Sequence, residues 1–99
     1  MPICKMARFR VRPEGVRLCT KAIREFVAHV KENEPGTRLY ISLQDPRDRT
    51  RFLHVMVFKD KAAERRHRTS AAVKQFTRAL YPESVELPEF VDLRLITST

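Results

Sequence analysis

The order of apolar and polar positions predicts four strands and two helical regions. Apolar residues alternate with polar or charged ones over residues 3–11, 37–44 and 89–96, a period of two that is typical of β-strands, and the mostly apolar residues 50–58 form a further strand. Apolar residues recur at helical spacing from Val16 to Val30, and a second helical pattern covers residues 61–80. The resulting order, β-α-β-β-α-β, predicts an α+β, ferredoxin-like fold: a four-stranded antiparallel sheet with helices on one face.

Local signals predict where these elements begin and end. Glu34-Pro35-Gly36 should end the first helix, because a proline disfavours helical geometry in the residue before it. The Asp-Pro turn within residues 45–49 makes the second and third strands a hairpin. Asp60 and Ser70 are predicted N-caps, so the second helical region should be split in two. Pro88 suits an edge strand.

The third strand is apolar on both faces, which a single small sheet does not explain. One face carries Phe52, Met56 and Phe58, and the other carries Leu53, Val55 and Val57. The helices of one chain cover only one face of an antiparallel sheet, and the other face is normally polar. A second copy of the sheet would cover it, so the pattern predicts a homodimer. By periodicity alone, the row of Leu53 looks like the better core row.

Composition and length restrict the class of protein. The 99 residues predict one domain over 1–99, and no apolar run approaches the roughly 20 residues of a membrane helix. The start, MPICKMARFRV, does not resemble a secretory signal, so a cytoplasmic protein is expected. Cys4 and Cys19 are too few for a disulfide framework, and they lack the paired spacing of a zinc site. We expect both to be reduced packing residues, with no metal site.

A net charge of +8 raises the question of a nucleic-acid partner. RNA-recognition domains share this element order, but they stack bases on a Gly-aromatic run in the two central strands. Neither the first nor the third strand has such a run, and the basic residues follow the helix faces instead. A charged outer helix face is usually solvated. A nucleic-acid-binding module is therefore the less favoured alternative.

Short motifs then occur in a characteristic order along the chain. They are Glu34-Pro35-Gly36, Tyr40, Met56-x-Phe58, Asp60 with Ala62 and Ala63, His67, and a helix over Ser70 to Leu80. Over almost its whole length the chain resembles the antibiotic biosynthesis monooxygenase (ABM) family, whose plainest members are small quinol monooxygenases. The resemblance implies a dimeric α/β barrel. Met56 and Phe58 stand where the family has Glu and Trp, so a possible proton acceptor and donor are absent.

The resemblance implies a monooxygenase that needs no metal and no other cofactor, because the electron-rich substrate itself reduces dioxygen. A small aromatic, quinol-like or polyphenol-like, would bind in an apolar pocket and lose a phenolic proton there. The candidate catalytic residues are His67 and His54. Imidazole titrates near neutral pH, so His67 is a candidate base. The alternative is that His67 only hydrogen-bonds at the corner between helix and strand and holds the shape of the pocket.

The resemblance places His54 in the same pocket, because it shares a strand face with Met56 and Phe58. The candidate substrate-binding residues are Tyr40, Met56, Phe58 and Phe76. Of these, Phe76 is expected more in the core than against substrate, and Tyr40 has cross-strand packing as its alternative role.

The sequence bears on two alternatives to this activity. Haem-degrading relatives rely on an Asn, a Trp and a His, but this chain has no Trp and only Asn33, which excludes that activity. A non-catalytic ligand-binding or stress-related relative remains a serious alternative, because of Met56 and Phe58.

The excess positive charge would also suit a carboxylated or phosphorylated substrate. The open candidates for binding it are Arg8, Arg10, Arg66 and Arg94.

Overall fold

The structure, a computed structural model, describes residues 1–99 and contains four strands and three α-helices. The strands are β1 (Ile3–Arg10), β2 (Thr37–Gln44), β3 (Arg51–Phe58) and β4 (Glu89–Leu93); the helices are α1 (Val16–Asn33), α2 (Lys61–Arg68) and α3 (Ala71–Leu80). The strands pair antiparallel in the order β2-β3-β1-β4. The predicted ferredoxin-like α+β fold is confirmed. No helix combines the length and the hydrophobicity that a membrane-spanning helix needs.

The helix boundaries follow the predicted signals. One stripe of α1, including Phe26 and Val30, is buried, and the helix ends just before Glu34-Pro35. The Asp60 carboxylate accepts a hydrogen bond from the Ala63 N–H at 2.9 Å, and the Ser70 hydroxyl accepts one from the Val73 N–H at 3.1 Å. Each cap satisfies a backbone donor that the first turn of a helix leaves free. The predicted division of the second helical region is therefore confirmed.

The last strand is shorter than the alternation predicts. β4 ends at Leu93, whereas the pattern continues to residue 96. β4 lies at the edge of the sheet and has only β1 as a neighbour, and Leu93 already pairs with Cys4, near the start of β1. The residues after Leu93 have the pattern of a strand but lack a partner strand. The edge position that Pro88 indicated is confirmed.

The structure decides which row of β3 meets the helices. Phe52, His54, Met56 and Phe58 are buried beneath them, while Leu53, Val55 and Val57 are only half-buried on the opposite face. In β1, Ala7 and Phe9 pair with His54 and Phe52 and extend the same buried face. The prediction from periodicity, that the row of Leu53 faces the helices, was wrong. The prediction from the family resemblance, that the row of His54 does so, is confirmed.

The opposite face of the sheet is a broad apolar surface. It presents Cys4 and Met6 of β1, Leu39, Ile41 and Leu43 of β2, Leu53, Val55 and Val57 of β3, and Val91 and Leu93 of β4. Leu39, Leu43 and Leu93 are 42%, 47% and 49% exposed. A contiguous apolar surface of this kind is typical of an interaction site.

Gly36 allows α2 to approach the start of β2 closely. A Cβ placed on Gly36 would lie 2.6 Å from the Cβ of Ala63, much closer than two non-bonded carbons approach. The Gly36 carbonyl also accepts a hydrogen bond from the N–H of Lys59, just before α2, at 2.8 Å. The glycine of the Glu-Pro-Gly motif is therefore required by packing and not by a special backbone angle, since its φ is negative.

We expect Gly36→Ala to destabilise the fold by about 1–3 kcal/mol, because overpacking forces backbone shifts. Chemical denaturation measures the free energy of unfolding. The double variant Gly36→Ala/Ala63→Gly removes the carbon that the new methyl group strikes. It should be more stable than the sum of the two single effects predicts, a sum that already includes the cost of about 1 kcal/mol for a glycine inside a helix. Strict additivity of the two single variants would contradict the close approach.

Candidate active site

A cavity of about 460 Å³ lies between the helices and the buried face of the sheet. All six residues predicted for the site line it: His54, His67, Tyr40, Met56, Phe58 and Phe76. The remaining lining is mostly apolar, and it includes Phe26 of α1 and Val73 of α3. This volume falls within the roughly 300–1,000 Å³ that is typical of small-molecule sites. The fold therefore brings the predicted residues together around one space.

His67 is paired with a carboxylate that sequence reasoning missed. Its Nδ1 lies 2.8 Å from Oε1 of Glu34, at the end of α1, and the pair is almost fully enclosed. The Thr37 hydroxyl donates to the same Glu34 oxygen at 2.8 Å. From sequence, Glu34 was identified only within the Glu-Pro-Gly motif, not as a partner of a site residue. The two residues are 33 positions apart, so no local pattern joins them, although both belong to the motif series that carries the family resemblance.

The Glu34 contact fixes the direction in which His67 can act. An ionised carboxylate only accepts hydrogen bonds, so the proton of a neutral His67 lies on Nδ1 and its lone pair on Nε2. Nε2 has no hydrogen-bond partner in the protein and is not fully buried. The His67 ring lies among Phe58, Tyr40 and Phe26, with ring centroids at 5.0, 5.6 and 5.7 Å. The arrangement can accept a proton from a hydroxyl group bound in the cavity.

His54 occupies a different environment in the same cavity wall. It is 1% exposed, and both of its ring nitrogens are engaged: Nδ1 with the Tyr40 hydroxyl at 2.7 Å and Nε2 with the Ser42 hydroxyl at 2.9 Å. Burial lowers the pKa of His54 to about 4, so the ring is neutral at neutral pH. Neither nitrogen is free for a ligand. The geometry suits His54 to orienting Tyr40, and its catalytic role stays a prediction.

Tyr40 connects the two histidines. Its ring lies edge-on to Phe26, with centroids 5.4 Å apart, and close to His67. Burial, and to a smaller extent the negative charge of Glu34, raises the pKa of the Tyr40 phenol. Tyr40 therefore stays protonated and offers a neutral hydroxyl. Ser42, which completes this hydrogen-bonded series, was not among the predicted residues, because a serine on a predicted strand gave no signal.

The other predicted substrate-binding residues form part of the apolar wall of the cavity. Met56 and Phe58 are 5% and 1% exposed and line the cavity from the helix side of β3. Phe76 stacks on Phe26 with centroids 4.6 Å apart, so it belongs to the core and to the cavity lining at once. These residues can hold an aromatic ring but supply neither a proton acceptor nor an N–H donor.

The charged residues of the cavity are not the arginines considered from sequence. Arg8, Arg10, Arg66 and Arg94 are absent from its lining, which instead carries Lys5, Glu64, Arg68 and Lys74. Arg8 bonds to Glu89, and Arg10 bonds to Thr50. No group of three or more His, Cys, Asp or Glu side chains is placed to hold a metal ion.

The buried, neutral state of His54 predicts a pH-dependent stability. Its pKa in the folded protein, about 4, lies below the ordinary value of 6.5, so the unfolded chain binds more protons between these values. The free energy of unfolding should therefore fall by about 3 kcal/mol as the pH is lowered from 7 to 4. In His54→Gln, which can keep hydrogen bonds but does not titrate, this component should be missing. Denaturation at fixed protein concentration across that range measures both proteins, and parallel curves would contradict the neutral state.

Comparison with solved structures gives the same fold in several bacteria. A candidate antibiotic biosynthesis monooxygenase of Caulobacter crescentus superimposes with a TM-score of 0.91 at 21% identity, over 97% of this chain and 91% of that one. A second candidate, from Nitrosomonas europaea, gives 0.91 at 18% identity over 99% and 93%. A Pseudomonas aeruginosa protein gives 0.86 at 22% identity over 97% and 95%. At these identities the likeness establishes the fold alone.

The sequence itself gives the family. No curated protein matches the chain. The family model described as antibiotic biosynthesis monooxygenase, however, matches residues 2–79, from before β1 to almost the end of α3. This range includes the Glu34–His67 pair and all six predicted site residues. The chain therefore belongs to the antibiotic biosynthesis monooxygenase family.

Proposed function

We propose that the protein is a cofactor-independent monooxygenase that oxidises a small aromatic of quinol or polyphenol character with dioxygen. The observation that carries this proposal is the Glu34–His67 pair in an apolar cavity of about 460 Å³. A histidine held by a carboxylate on one nitrogen, with the other nitrogen free, has the arrangement of a general base. Family membership supports the same reaction class.

In the proposed reaction, Nε2 of His67 takes the phenolic proton of the bound substrate. The Glu34 carboxylate stabilises the imidazolium that forms and holds the ring in place. The resulting electron-rich phenolate reduces dioxygen, and a C–O bond forms on the ring. A quinol and dioxygen then give a hydroxyquinone and water, which balances because the quinol supplies all four electrons that dioxygen takes up.

The apolar wall has a separate task in this mechanism. Reduced oxygen species and ring radicals are reactive toward water and toward exposed side chains, and a closed aromatic site limits such side reactions. Phe26, Phe58 and Phe76 enclose the ring, and Tyr40 provides a neutral hydroxyl near His67. The substitution of the family's Glu by Met56 leaves His67 as the proton acceptor of the proposed reaction.

His67→Gln should lower kcat by about 10²–10⁴-fold, the usual contribution of a general base. Glu34→Gln should lower it too, because the amide can donate to Nδ1 and leave the proton on Nε2, where the lone pair is needed. Oxygen uptake with a panel of hydroquinones and polycyclic phenols in metal-free buffer measures the rates. His29→Gln, at an exposed position on α1, is the matched control and should leave them unchanged. Equal rates in all variants would contradict the assignment.

A non-catalytic ligand-binding protein is the second candidate function. Met56 and Phe58 favour it, because they replace a carboxylate and an indole N–H with purely apolar groups. The same panel separates the two functions. Binding of aromatic ligands without oxygen uptake by any of them would replace the monooxygenase proposal with this one.

We also propose that the protein is a homodimer in which the apolar face of the sheet packs against its copy. That face runs across all four strands, and no helix of the same chain covers it. Isologous packing by two-fold symmetry would cover both copies at once. Interfaces of stable homodimers are apolar in the same way.

Val55→Lys, at the centre of the apolar face, should convert the protein into a monomer, because a buried lysine without a partner is strongly unfavourable. Light scattering should give twice 11.6 kDa for the wild type and a value near 11.6 kDa for the variant. Leu18→Lys changes a 50% exposed leucine on α1, on the other side of the sheet, and should leave the dimer intact. A wild type that is monomeric at micromolar concentration would rule out the pairing.

A further inference from the structure

The charges along the lining of the cavity do not balance. Three cations, Lys5, Arg68 and Lys74, line it together with a single carboxylate, Glu64, which gives a formal net charge of +2. Lys74 is exposed, and the side chain of Arg68 is 58% exposed, so both extend to the outer part of the cavity. The inner part, in contrast, is made of aromatic rings, Met56 and the two histidines.

The hydrogen bonds show which cations are free. Glu64, whose side chain is only 14% exposed, accepts from Nε of Arg68 at 3.0 Å and from Nζ of Lys5 at 3.5 Å. Lys5 also lies 3.7 Å from Asp92. Both terminal nitrogens of Arg68 are without partners, and Lys74 forms no ion pair or side-chain hydrogen bond. The unneutralised positive charge therefore lies with Lys74 and the outer edge of Arg68.

We propose that the cavity takes an aromatic ligand that carries a carboxylate, with Lys74 as its anion-binding residue and the free edge of Arg68 beside it. This inference rests on the proposed function, which places the hydroxyl of the ligand at His67. The hydroxyl and the carboxylate then lie at opposite ends of the ligand, and the rings lie between them against the apolar wall. Ion pairs with exposed lysines are weak, but a ligand that excludes water from the mouth strengthens them.

A matched pair of ligands isolates the carboxylate. 6-Hydroxy-2-naphthoate and its methyl ester have the same rings and the same hydroxyl, and they differ only in the negative charge. Binding to the full chain is measured by titration calorimetry without oxygen, so that turnover does not contribute. We expect the wild type to bind the carboxylate at least fivefold more tightly than the ester at low salt, and this preference to shrink as salt is added.

Lys74→Gln should reduce the preference for the carboxylate to less than twofold while leaving the affinity for the ester almost unchanged. Lys31→Gln is the matched control, because it removes the same charge from an exposed position on α1 that lies outside the cavity lining. It should keep the fivefold preference. Equal losses in the two variants would assign the effect to net charge alone and overturn the role of Lys74.

The outcome is separable from that of the oxygen-uptake experiment. Preference for the carboxylate that depends on Lys74, with no oxygen uptake, would uphold the anion site and reject the monooxygenase. Oxygen uptake together with equal affinity for the carboxylate and the ester would uphold the monooxygenase and reject the anion site. A wild type that binds neither ligand would overturn the anion site.

Discussion

The hydrogen bond between Glu34 and His67 is the interaction on which the rest of the site depends. It joins the end of α1 to α2 across the close approach of Gly36 and Ala63. Enclosing a carboxylate is unfavourable unless it is hydrogen-bonded, and here Thr37 and His67 supply the bonds to one oxygen while the other remains unpaired. Gly36 makes the pairing sterically possible, because any side chain there would hold α2 away. One short motif thus ends a helix, permits a close approach and orients the candidate base.

The two faces of β3 carry two different tasks. Its helix side sets His54, Met56 and Phe58 into the cavity, and its other side adds Leu53, Val55 and Val57 to the apolar surface. A strand with this composition cannot stand at the edge of a sheet in water, and it lies between β1 and β2. The cavity and the proposed dimer contact therefore lie on opposite sides of the same strand. Substitutions on either face of β3 should affect the packing on the other.

Local chemistry made much of the fold predictable. Caps, turns and periodicity depend on neighbouring residues, which is why Asp60, Ser70 and the end of α1 agree with expectation. The core row of β3 was not decidable in the same way, because both rows are apolar and a histidine lowers the apparent hydrophobicity of the row that is buried. The Glu34 partner of His67 and the Ser42 partner of His54 depend on distant segments that only the folded chain brings together. For the same reason, the sequence gives the number of charged residues but not which of them line the cavity.

The hydrogen-bonded series Ser42–His54–Tyr40 has a chemical consequence of its own. A neutral imidazole carries its single proton on one nitrogen or on the other, and moving it reverses both hydrogen bonds without displacing a heavy atom. In one tautomer Tyr40 donates to His54, and its oxygen is left as an acceptor. In the other it receives from His54, and its own proton is available to a neighbour. A wall that can change its polarity in this way would suit the proposed substrate, which would enter with a phenolic hydroxyl and leave with a quinone carbonyl.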